Sequence, residues 1–113
     1  MATLADFIFF DETSATTTSN NFSLPYGTEV VTLQVDGISG ASVSATVEGT
    51  TEIGGTGEWY PLTVLNNTGY AASESISEAG IYSIAGEGIR LLRMKNAGSA
   101  GTIKAHAVAV GGL

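Results

Sequence analysis

The chain has 113 residues, enough for one domain with a real core and too few for two ordinary ones. It has no cysteine, which excludes disulfides and thiolate metal sites, so burial or oligomerisation must supply the stability. A net charge of −7 argues against binding a phosphate backbone, and charged residues are only 13% of the chain, so the surface is hydroxyl-rich or covered by partners.

The N-terminus, Met1 to Asp6, lacks the basic region and apolar run of a signal peptide, and no segment approaches the ~20 apolar residues that span a bilayer. This predicts a chain made in a cytoplasm, with no membrane partner. Phe7-Ile8-Phe9-Phe10 is a short apolar run between Asp6 and Asp11. It suits a buried strand or a hydrophobic anchor that docks elsewhere. Glu12 to Asn21 is almost wholly Thr, Ser, Ala and Asn without periodicity, and reads as a loop or linker.

From Thr28 the alternation is clean: Val31, Leu33 and Val35 point one way, and Thr32, Gln34 and Asp36 the other. After Gly37 and Gly40, Val43, Ala45 and Val47 alternate with hydroxyl residues and Glu48, which suggests that the two runs form an antiparallel pair. Gly54-Gly55-Thr56-Gly57 is a flexible loop, because a phosphate cradle needs a Gly-Lys-Ser/Thr ending and no Lys occurs before position 95. In the run Trp59 to Leu65, Pro61 cannot donate a ladder hydrogen bond, which predicts an edge strand or one that begins near the proline. Tyr70 to Ile76 and Ile81 to Ile84 complete the set before the last segment. No stretch shows a sustained helical period. About eight short strands separated by Gly, Asn and Ser turns predict an all-β fold, an antiparallel β-sandwich of jelly-roll-like type. The sandwich is expected over 28–113, with 1–27 an arm or linker that carries the Phe-rich anchor and has the option of adding a strand.

Charge is segregated along the chain. All eleven acids precede Arg90, while Arg90, Arg93, Lys95, Lys104 and the single histidine, His106, follow. Gly88 to Val110 reads as a hairpin closed near Gly98 and Ser99, with Met94 and Leu92 facing Ile103 and Ala105 on an apolar side. Its other side would oppose Arg93 to Lys104, an unfavourable pairing that calls for acids from another strand or another molecule.

Catalysis has little support, since one histidine between alanines offers no triad or nucleophile elbow. A single histidine also argues against zinc, and Glu48, Glu52 and Glu58 lack the spacing of a calcium loop. No catalytic residue, metal site or cofactor is therefore assigned. Trp59 and Tyr60 could stack on a sugar ring, although strand alternation would turn one of them into the core.

The pattern over Val43 to Val110 resembles a type of small tailed-bacteriophage virion protein. The resemblance rests on Val43 to Gly49, Gly57-Glu58-Trp59-Tyr60-Pro61-Leu62, Gly80-Ile81-Tyr82-Ser83-Ile84, Gly88-Ile89-Arg90-Leu91-Leu92-Arg93-Met94-Lys95 and Ser99 to Ile103. It departs from the type in its Gly-Gly-Thr-Gly loop, where Asn-Asp-Gly is more usual. The resemblance implies a non-enzymatic β-sandwich that decorates or cements a capsid, or belongs to a tail or fibre. Expected partners are further copies of itself, a trimer among the allowed orders, and the major capsid protein or other virion proteins, with no nucleic acid. Candidate interface residues are Phe7, Phe9, Phe10, Arg93, Lys95, Lys104 and His106. The alternative is a carbohydrate- or receptor-binding fibre module using Trp59 and Tyr60.

Overall fold

The computed structural model describes residues 2–14, 17–39, 43–52, 57–96 and 101–112. Among them are eleven strands: β1 (Ala2–Ser14), β2 (Thr17–Thr18), β3 (Phe22–Ser23), β4 (Val30–Ser39), β5 (Ala45–Thr50), β6 (Tyr60–Pro61), β7 (Val64–Asn66), β8 (Ala72–Ser73), β9 (Gly80–Ala85), β10 (Leu91–Asn96) and β11 (Thr102–Gly111). They form two antiparallel sheets that pack as a β-sandwich. One has the order β1, β11, β4, β9, β7, β8; the other has β2, β10, β5, β6, with β3 also pairing β10. β2, β3, β6 and β8 have two residues each, too short for alternation to reveal, which is why the sequence suggests fewer strands. The proline-bearing β6 lies at a sheet edge, where its missing donor costs no ladder bond. Of the Gly-rich loop and the turn near Gly98, residues 53–56 and 97–100 lie outside the described residues.

Two expected pairings are corrected. β4 and β5 belong to different sheets, β4 lying between β11 and β9, and β5 between β10 and β6. The segment Gly88 to Val110 is likewise not a hairpin, because β10 and β11 also lie in opposite sheets. Alternation tells which side of a strand is apolar and is silent on which strand lies beside it. Two apolar sides can meet across the core of a sandwich as well as share one sheet face. Leu92 and Met94 do belong to one core with Ile103 and Ala105, but from the other layer.

β1 to β3 place most of the first 27 residues in the sheets. β1 is an edge strand along β11, and its register shifts between Ile8 and Phe10. The extra residue lets the adjacent Phe9 and Phe10 both be buried. On β11 the inward row is Ile103, Ala105, Ala107 and Ala109, all fully buried. Phe7 lies opposite Ala107 and Phe10 opposite Ala105, so small residues on one strand leave room for rings on the next. Phe7 stacks on Phe22 of the other sheet with centroids 4.9 Å apart, and Phe9 meets both rings edge-on. At the far end of β11 a side chain on Gly111 would overlap the backbone oxygen of Gly27, whose φ of 93° itself favours glycine.

Candidate functional site

The bases that are neighbours in sequence are parted by the fold. β10 turns Arg93 and Lys95 onto the outer face of the five-stranded sheet, whereas β11 turns Lys104 and His106 onto the outer face of the six-stranded sheet. Arg93 and Lys104 are therefore not cross-strand neighbours, and the like-charge opposition expected of a hairpin does not arise.

On the five-stranded sheet Arg93 sits opposite Glu48 of β5 in register. Its Nε donates to Glu48 Oε1 at 2.8 Å, with the two side chains 27% and 16% exposed. Its guanidinium lies 4.1 Å from the centre of the Trp59 ring, close enough for a cation–π contact. Ion pair and indole thus cover the middle of this face with groups from one chain. Lys95 is exposed between Thr46 of β5 and Thr18 of β2. Tyr60 faces different neighbours from Trp59: it is 61% exposed, and its hydroxyl donates to Glu58 Oε2 at 2.9 Å. Beside it, Glu52, Glu58, Leu62 and Ile89 line an open cleft.

The outer face of the six-stranded sheet is different in kind. Ile8 of β1, His106 of β11, Gln34 of β4 and Ile81 of β9 form one cross-strand row. The next rows along the strands carry Asp6, Val108, Thr32 and Ser83, then Thr3, Val110, Val30 and Ala85. Ile8 is 65% exposed, and Ile81 and Leu65 are also exposed. Charge gathers at one margin, where His106 Nδ1 lies 3.6 Å from Asp36 Oδ2 and Gln34 donates to the same carboxylate. Lys104 is exposed beside them and has no ion-pair partner among the described residues.

Of the residues singled out by sequence, Phe9 and Phe10 are corrected as contact residues: their rings lie in the chain's own core, and Phe7 packs against it. The residue of that run that reaches solvent is Ile8. Glu48, Ile8, Ile81 and Leu65 were missed as partners or surface residues. The alternation that buries Ala105 and Ala107 was a usable signal for the outward row of His106, Val108 and Val110. The sheet order that brings Ile8 and Ile81 to its two ends was not. Tyr26, wholly exposed at the tip of the Pro25-Tyr26-Gly27 turn, was also missed. Among the described residues no three His, Asp or Glu side chains gather as a metal site, and no helix is long and apolar enough to cross a membrane.

No family model and no curated protein matches the sequence. Two solved structures match the fold. The SPBc2 prophage-derived protein YomS superposes with a TM-score of 0.78 at 15% identity, over 93% of this chain and 90% of that one. The PBSX exported protein XepA superposes with a TM-score of 0.80 at 14% identity over 93% of this chain, which spans only 37% of XepA. At these identities the likeness is one of fold.

Proposed function

We propose that the chain is a non-enzymatic structural protein of a phage particle, made in the host cytoplasm and carried in the virion. Within the particle it acts as a capsid decoration or cement protein that stabilises its neighbours through symmetric protein–protein contacts. The observation that carries this reading is the outer face of the six-stranded sheet, broad and poor in charge, on a fold shared with a prophage-derived protein. A surface of that kind is suited to burial against another protein surface rather than to gathering a charged substrate. The test is co-sedimentation of the purified chain with particles or empty heads that lack it. Saturable co-migration is expected; a chain that stays at the top of the gradient with every particle form overturns the reading.

A second reading, a sugar- or receptor-binding fibre module, is favoured by Tyr60 at the mouth of the cleft that Glu52 and Glu58 line. Exposed aromatic rings with carboxylates beside them suit a glycan's faces and hydroxyls. Glycan-array binding that Tyr60→Ala abolishes would support it; an array without hits removes it.

A further inference from the structure

We propose that the outer face of the six-stranded sheet is the contact between two copies of this chain, related by a two-fold axis that runs parallel to the strands between β11 and β4. This rests on the reading of the chain as a structural module and names the surface through which it self-associates. β11 and β4 are flanked by β1 and β9, so such an axis exchanges β11 with β4 and the edge strand β1 with β9 while leaving every cross-strand row in place. Each row then meets itself reversed.

The rows are complementary under that operation. In the first, Ile8 meets the copy's Ile81, and His106 meets the copy's Gln34. In the second, Val108 meets Thr32, and the Asp6 carboxylate meets Ser83, whose hydroxyl would exchange its bond to Asn67 Oδ1 for one to the carboxylate. In the third, Val110 meets Val30, and Thr3 meets Ala85. No like charges are opposed in these three rows. At the margin Lys104 pairs in register with Gly37, next to Asp36, so the axis carries Lys104 over the copy's Asp36 and adds an acid to Asp11 and Asp36 of its own chain, which line clefts beside it without an ion pair to it among the described residues. Charges matched in this way fix register and exclude other alignments more than they add affinity.

The size also fits. Four strands from β1 to β9 span about 19 Å, and Lys104 to Val110 run about 23 Å, a footprint of roughly 440 Å² before side-chain relief is counted. This flat projection is about half of the ~800 Å² per partner of a standard stable interface, with side-chain relief adding to it, and two such faces would pack about 10 Å apart in the aligned manner of a sandwich.

The experiment is sedimentation velocity on the purified full chain and its variants, with melting curves as the control for folding. The wild type is expected to sediment as a dimer. Val108→Glu and Thr32→Lys, each on the outward face, are each expected to raise the dimer dissociation constant about tenfold or more. An equimolar mixture of the two is expected to recover the dimer, because the axis places the new Glu of one chain against the new Lys of the other. Lys104→Glu, at an exposed position, should weaken the dimer with no change in melting, and serves if either central variant unfolds. A monomer up to about 100 µM, a ring of odd order, or a dimer indifferent to these substitutions overturns the proposal. A dimer that ignores every particle would sink the virion reading and leave the interface standing, whereas a monomer that coats particles would do the reverse.

Discussion

The two outer faces of this sandwich solve the problem of surface in opposite ways. On the five-stranded sheet, Arg93 reaches Glu48 across the strand pair and lies against Trp59, so charge and aromatic area are satisfied within one chain. On the six-stranded sheet, the rows are mostly Thr, Ser, Val, Ala, Gln and Ile, with Asp6 and His106 among them, and the close ionic contact among the described residues is the His106–Asp36 pair. The difference teaches that a cluster of bases in sequence need not be a cluster in space. The faces carrying Arg93 and Lys104 look away from each other, and each carries a lysine, Lys95 on the first and Lys104 on the second, with no ion-pair partner among the described residues.

The largest expected effect tests what both faces depend on. Phe22→Ala removes the ring that Phe7 stacks on and Phe9 abuts across the two layers, and should lower unfolding free energy by about 3–5 kcal/mol in a urea titration. A loss below about 1 kcal/mol would mean that the aromatic cluster does not tie the sheets together. Next, Arg93→Ser breaks a half-buried pair and its contact with the indole, and should cost about 1–2 kcal/mol while shifting Trp59 emission and leaving self-association unchanged. If self-association fails while melting is unchanged, the comparison is reversed and the five-stranded face is the interface.

A smaller effect should appear at alkaline pH. Burial, and then the charge of Glu78, raise the Tyr82 pKa above its ordinary value, and its hydroxyl donates to the Glu78 backbone oxygen at 2.8 Å. A group whose pKa is higher when folded holds its proton longer in the native state. Its stabilising contribution is thus complete below the unfolded value near 10 and disappears as pH rises through the raised folded value. The wild type should lose stability in that window, and Tyr82→Phe should lose less. Smallest of all, Lys95→Ser, exposed between two threonines, should change stability by less than about 0.5 kcal/mol.

Alternation in the sequence was enough for the all-β class and for the inward rows of β4, β5 and β11, because a side-chain period of two is a local property of an extended chain. Pro61 likewise announced an edge, since a missing donor restricts a strand wherever it sits. Strand neighbours were not legible. Both β4 with β5 and β10 with β11 looked like hairpins, and each pair turned out to be divided between the two sheets. Nor could the Phe-rich run be told from an anchor, because burying both Phe9 and Phe10 depends on a register shift against β11.

Residue pattern alone sets which side of each long strand is apolar, and that hydroxyls rather than charges clothe much of the rest. It takes the packed sheets to bring Glu48 to Arg93, to turn Ile8 to solvent while its phenylalanine neighbours pack inward, and to set two isoleucines 73 positions apart at the ends of one row of a sheet. The physical reason is that strand pairing joins residues distant in the chain. Its register is set by turns, bulges and packing across the core, none of which is written in the period of any single strand.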